Sequence, residues 1–175
     1  MNVTLKDIRS HEPCKPGWKR LLNYVGKKRA DKKPLPLVTI LKSNGLDDAL
    51  WCTRALVGHD RELRVYAVWC ARRVQHLVTD PRVGAVLDAA ERFANGLASR
   101  EALDEALTAA RYGRHEQCDI GDEEVWDAVW DAASWTALGY AGDAAWAAAG
   151  AARCAARGEG AAQEAQFRAV FGSYQ

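Results

Sequence analysis

Residues 60–78 read DRELRVYAVWCARRVQHLV, and this stretch decides the fold class. Leu63, Ala67, Cys70, Val74 and Leu77 recur at steps of four, three, four and three. That is the repeat of one face of an α-helix and not of a strand. Arg61, Arg64, Arg72, Gln75 and His76 take the opposite arc, but Val65, Val68 and Trp69 break into it. A helix that is apolar on more than one side is covered on more than one side. This helix is therefore expected at the centre of the molecule.

The flanking segments repeat the pattern. Upstream, Gly58 closes a helix opened by Asp47 or Asp48, with Leu46, Leu50, Trp51, Ala55 and Leu56 facing inward. Before that, Pro36 suits the first position of a helix whose inner face is Leu37, Ile40 and Leu41, and Asn44-Gly45 ends it. Further upstream, Thr4 caps a short helix over residues 5–10 and Pro13 stops it. Residues 16–25 place Trp18, Leu21, Leu22 and Val25 on one face, and Gly26 ends that helix.

Downstream, Asp80-Pro81 is a cap followed by a first-turn proline. The helix it opens turns Val83, Val86, Leu87, Ala90 and Phe93 inward and stops at Asn95-Gly96. Ser99 caps the next, with Leu103, Leu107 and Ala110 inward, and RHEQCDIGD over 114–122 reads as a loop. Beyond it, Trp126, Val129, Trp130, Ala133, Ala137 and Tyr140 share a face, while Trp135 points away. Gly139 and Gly142 predict a break, Trp146 sits in a second piece ending near Gly158, and a last helix covers 161–171.

Composition agrees with this helical reading. The chain has 175 residues, 49% hydrophobic and 27% charged, which excludes bulk disorder, collagen and disulfide scaffolds. Of 32 alanines, 18 fall in residues 121–175, where WDAVWDAASW and DAAWAAAGAA alternate small residues with tryptophan. Alanine lets helices approach and tryptophan fills the space beside it. The expectation is an all-α fold in one domain over 1–175, with seven to nine helices. It would comprise a basic helical arm (1–33), central helices (34–115) and Trp/Ala-rich helices (122–175).

Charge is balanced overall at +1 but not along the chain. Residues 1–33 carry ten Lys/Arg against three Asp/Glu, and residues 34–175 carry fourteen against twenty. Such an arm either steers a charged partner or is a solvated face. No signal-peptide core and no apolar run of about 18 residues is visible, so a cytoplasmic protein with no membrane partner is expected. Cys14, Cys52, Cys70, Cys118 and Cys154 are odd in number, widely spaced and without a CxxC pair, as in buried thiols of a reducing compartment.

No catalytic or metal motif stands out. There is no GxGxxG, GxxxxGK[ST], GxSxG or HExxH, and His11, His59, His76 and His115 are far apart. No cofactor and no metal site is expected, and the chain reads as not an enzyme. GHDRELR (58–64) is the densest polar cluster. It could supply Asp60 or Glu62 as a base and His59 as an acid. The simpler reading has Asp60 capping the helix, Glu62 complementing its dipole, and Arg61 or Arg64 tied to acids on a neighbouring helix.

Binding is the better-supported class. Lys27, Lys28, Arg29, Lys32 and Lys33 form the most cationic stretch and could contact phosphates, with Trp18 and Tyr24 close in sequence. Both aromatics suit the core better, and no helix-turn-helix or zinc-finger signature accompanies them. Seven tryptophans in 175 residues are hard to bury completely, and tryptophan is a favoured interface anchor. Trp69, Trp135 and Trp146 lie off their main stripes or among small residues and are expected at the surface. With Arg72 and the basic stretch they are the predicted partner-binding residues.

Three blocks, LPLVTILKSNGLDDALWCTRAL (35–56), GHDRELRVYAVWCARRV (58–74) and DPRVGAVLDAAERFANG (80–96), precede the Trp/Ala-rich tail. Together they resemble a family of small helical immunity proteins of bacterial genomes, phages and prophages. The resemblance spans roughly residues 5–155. It implies an all-α protein that binds and neutralises another protein, a toxin or a component of a host defence. It supplies no catalytic residues. Gly139, Gly142 and Gly150 interrupt a tail that is more regular in that family, so one continuous long helix is not expected. A phage-encoded anti-CRISPR or related anti-defence inhibitor is the alternative, and a nucleic-acid-binding accessory protein using the basic arm is the second.

Overall fold

The computed structural model describes residues 1–78, 80–114 and 123–172. It is helical, with one small exception. In chain order the helices are α1 (Leu5–Ser10), α2 (Lys15–Tyr24), α3 (Leu37–Asn44), α4 (Leu46–Trp51) and α5 (Asp60–Val74). They continue as α6 (Pro81–Ala94), α7 (Arg100–Arg114), α8 (Glu123–Ala137), α9 (Ala141–Ala155) and α10 (Glu159–Phe171). Ten α-helices among the described residues exceed the seven to nine expected. All ten correspond to segments read as helical in the sequence, the shortest being α1 and α4 with six residues each. The loop expected over 114–122 and Cys118 lie outside the described residues, apart from Arg114, which ends α7.

The exception is a two-stranded antiparallel ribbon of β1 (Asn2–Thr4) and β2 (Pro34–Pro36), in register Asn2↔Pro36, Val3↔Leu35 and Thr4↔Pro34. Prolines lack the N–H that a ladder needs, so β2 can pair only as an edge. The ribbon buries Val3 and leaves Leu35 packed on the core.

The local signals act where they are read. The Thr4 hydroxyl accepts from the Asp7 N–H at 3.1 Å, capping α1. Asp80 accepts from the Arg82 N–H at 2.9 Å, capping α6, and Ser99 accepts from the Ala102 N–H at 3.3 Å. Gly139 has φ +85, a left-handed conformation that favours glycine, and it separates α8 from α9. At α5 the expected cap is corrected. His59 holds the cap position without a side-chain bond, and Asp60 is the first helical residue.

At the centre α5 packs on α9, α8 and α6, and α9 packs on both α5 and α8. The reason is the alanine seam of α9. Ala141, Ala144, Ala145, Ala148, Ala149 and Ala152 recur at three- and four-residue steps and are almost fully buried. Tyr66 of α5, unmarked by the sequence stripe, is the largest fully buried side chain. Its hydroxyl donates to the Gln163 carbonyl of α10 at 3.0 Å, and its ring meets Phe167 edge-on at 6.3 Å. Burial holds this phenol well above the usual tyrosine range. Gln163 is itself buried but satisfied, donating to the Ala149 carbonyl and accepting from Arg153. Arg73 grips Glu159 with two bonds of 2.8 and 3.0 Å, fastening α10 to α5.

Two inward assignments are corrected. Leu77 is 44% exposed because α5 ends at Val74 and a 3-10 turn, Gln75–Leu77, follows. Its tighter winding rotates the last residues off the α-helical stripe, and Val78 goes inward instead. Tyr140 is 57% exposed, since the left-handed Gly139 breaks the period that placed it with Trp126. Cys52 and Cys70 are buried as expected, but Cys14 and Cys154 are exposed.

Gly142 and Gly150, both in α9, make opposite demands. A Cβ on Gly142 would lie 3.0 Å from the Arg54 backbone nitrogen, whereas one on Gly150 would meet nothing within 4 Å. Gly142→Val should lower stability by about 1–3 kcal/mol through this overpacking. Gly150→Ala should raise it by roughly 0.4–1 kcal/mol. Urea unfolding of both variants checks this, and equal shifts of one sign would contradict the packing of α9.

Candidate functional site

Three tryptophans from three elements converge on one cleft. Trp18 comes from α2, Trp51 from the end of α4 and Trp146 from α9. The cleft has a volume of about 190 Å³ and an apolar floor of Ile8, Leu21 and Ile40. Trp18 and Trp51 are half-buried against the core, and Trp146 is 40% exposed. Each position follows from local structure. Pro16 lies in the first turn of α2, Gly45 is left-handed and starts α4 sharply, and the alanines around Trp146 keep α9 close.

The polar part of the lining is small. Asn44 donates to the Gly17 carbonyl at 2.9 Å and to Asp48 Oδ2 at 2.7 Å, clamping α3 and α4 onto α2. A Cβ on Gly17 would lie 2.8 Å from Asp48 Oδ2, so a glycine is what lets this carboxylate sit there. Asp47 is paired with Arg153 of α9. The Cys14 thiol lines the cleft and accepts from the Gly17 N–H at 3.4 Å. Lysine and arginine are missing from the described lining.

Arg54 backs two of the rings. Its guanidinium lies 5.1 Å from the Trp51 ring and 5.2 Å from the Trp146 ring. Its Nε donates to Asp143 Oδ1 at 2.6 Å, while Nη1 is buried without a hydrogen-bond partner. Cation–π attraction to two indoles is what that buried charge receives in place of a further bond. Arg54 also walls a second, more polar cleft of about 320 Å³, which His11, Asp60, Tyr140 and Asp143 border.

That second cleft contains one member of the polar cluster of residues 58–64. Asp60 faces Arg64 at 3.5 Å, and His59 Nδ1 is 3.9 Å from Glu62 on the turn beside it. The arginines do not reach acids on a neighbouring helix as expected. Arg61 donates to the Asn95 side chain at 2.7 Å, and Arg64 lies over the Phe93 ring at 5.2 Å. Among the described residues no three His, Cys, Asp or Glu gather closely enough to hold a metal ion.

The predicted partner-binding residues are dispersed. Trp146 alone of them lines the tryptophan cleft. Trp69 is half-buried rather than at the surface, with the Tyr66 ring tilted against it at 6.1 Å and the Arg73 guanidinium over it at 5.6 Å. Trp135 is 37% exposed, donates to Asp131 and meets Tyr140 edge-on at 6.1 Å. Arg72 spends its guanidinium within the fold, on Asp88 at 2.6 Å and Glu91 at 2.9 Å. Lys27 pairs with Asp31 at 2.6 Å, a bond that holds the Asp31 carboxyl below its usual range. Lys28, Arg29, Lys32 and Lys33 are exposed, and so is Tyr24, which does not join the core.

The sequence pattern places Trp18 and Trp51 on inward faces, and the structure adds them to the site. The available signal was the spacing of Asp47 and Asp48 to Trp51. Steps of four and three place carboxylates beside an indole on one helical face.

No family model, no curated protein and no solved structure matches the chain. Among the described residues no helix is long and apolar enough to cross a membrane.

The thiols supply a test of the cleft's accessibility. Burial pushes Cys52 and Cys70 up to about 12. The thiolate is the reactive form, so iodoacetamide at pH 8 should label Cys14 and Cys154 and spare Cys52 and Cys70 until the chain unfolds. Because folding raises these two pKa values, their contribution to stability is complete below about pH 9 and is lost between about 9 and 12. The urea midpoint should therefore fall over that range. Cys52 lies buried against the cleft, and its labelling in the native chain as fast as Cys14 would contradict the closed floor.

Proposed function

We propose that this chain is a non-catalytic, protein-binding inhibitor of the immunity type, which neutralises a partner protein by docking it on the Trp18–Trp51–Trp146 cleft. The observation that carries this reading is the convergence of three indoles on an apolar cleft of about 190 Å³. Small-molecule and cofactor sites usually occupy about 300–1,000 Å³. A smaller cleft with a tryptophan wall suits one anchor side chain of a protein, and such anchors carry much of an interface's affinity. The resemblance to immunity proteins supports the same class. A toxin and a host-defence component would use this surface in the same way.

Absence of catalysis is part of the proposal. Within residues 58–64, Arg61 and Arg64 are engaged by Asn95 and Phe93, and a general acid and base would have to share a substrate. The nucleic-acid reading rests on different residues, where Lys28, Arg29, Lys32 and Lys33 are exposed and Tyr24, close in sequence, is exposed too. The two readings separate by salt, since phosphate binding weakens steeply as salt rises.

The test is affinity capture from lysate of the source organism, with nuclease, using the wild-type chain, Trp146→Ala, and a variant neutralised at Lys28, Arg29, Lys32 and Lys33. The expected result is one stoichiometric protein, lost with Trp146→Ala and kept by the loop variant. A protein kept by Trp146→Ala, or recovery of nucleic acid alone in a parallel capture without nuclease, would overturn the assignment.

A further inference from the structure

We infer that the tryptophan cleft recognises a basic side chain, a lysine or arginine of the partner, with its alkyl stem between the indoles and its charged head at Asp48. The inference rests on the protein-binding reading above and adds the chemistry of the anchor.

The first argument is charge. Asp47 and Asp48 line the cleft, and no described cation does. Asp47 is answered by Arg153. Asp48 accepts a bond from the neutral amide of Asn44 and has no cation within salt-bridge distance among the described residues. Its place in the first turn of α4 explains an acidic residue there. It does not explain a carboxylate clamped against the Gly17 backbone and turned into an apolar cleft. Asn44 itself is fixed by donating to both Gly17 and Asp48 and by accepting from the Ser43 hydroxyl at 2.6 Å. The carboxylate is thus positioned before any ligand arrives.

The second argument is the rings. Tryptophan is the strongest cation–π partner, and this fold already uses the Trp51 and Trp146 rings that way for Arg54. Arg9 lies over Trp18 at 5.7 Å. Neither arginine lines the cleft. Size is the third argument. An apolar cavity of about 150 Å³ holds benzene, so about 190 Å³ admits one long side chain and little more. A stem of methylenes with a cationic end matches both the apolar floor and the carboxylate, as Lys and Arg do when they bury their stems and present their heads.

The test uses the full chain and two side-chain mimics with the same four-carbon alkyl chain, n-butylguanidinium and the neutral n-butanol. The readout is the indole N–H signals in 1H–15N spectra, assigned by single Trp→Phe variants. The expected result is that n-butylguanidinium shifts Trp18, Trp51 and Trp146, leaves Trp69 and Trp135 in place, and binds roughly tenfold more weakly to Asp48→Asn. A second measurement needs no variant: n-butylguanidinium should slow alkylation of Cys14 by iodoacetamide, and n-butanol should not. Equal shifts and equal protection by n-butanol would overturn the inference, as would wild-type affinity of a folded Asp48→Asn or no shift at all. These failures are distinct from failure of the protein-binding reading, which turns on partner capture by Trp146→Ala.

Discussion

The architecture depends on the close approach of α9 to its neighbours. Its seam of six buried alanines lets α5 and α8 come near the helix axis, and Gly142 admits the Thr53–Arg54 backbone. Larger side chains at these positions would push the helices apart, and interiors packed like crystals do not absorb such volume. The seam also sets the opposite face. Trp146 and Asp143 project from the same helix, and with α9 held close, Asp143 reaches Arg54 and Trp146 reaches the edge of the cleft.

From that constraint the cleft follows. Arg54 lies against the rings of Trp51 and Trp146 while paired with Asp143. Asn44 holds Asp48 through one amide N–H and Gly17 through the other. The cleft is therefore braced on both sides, by the Arg54–Asp143 pair and by the Asn44 amide. Rigid, pre-positioned anchoring sites lose less entropy on binding.

Much of the fold was legible in the sequence. The caps at Thr4, Asp80 and Ser99, the stop at Gly45 and the break at Gly139 are local events, decided by residues within one turn. The inward faces of α3, α6 and α7 follow from periodicity. What escaped was non-local or short. The ribbon of residues 2–4 with 34–36 depends on a pairing across some thirty residues. Leu77 and Tyr140 were misplaced because a 3-10 turn and a left-handed glycine end the α-helical period. At the site, Trp146 was legible as an exposed indole among alanines. Trp18 and Trp51 were not, because a stripe marks which face is apolar and not whether that face meets the core or a cleft. Trp69, Arg72 and Lys27 were marked by chemistry alone, and the fold satisfies each of them internally.

The measurement that tests the central claim most directly is hydrogen exchange of the chain alone and in complex with the protein it captures. The account predicts new protection over residues 13–21 and 44–54, with residues 27–33 and 126–140 unchanged. Protection confined to residues 27–33, or to the Trp135–Tyr140 corner, would place the interface elsewhere and contradict the assignment of the tryptophan cleft.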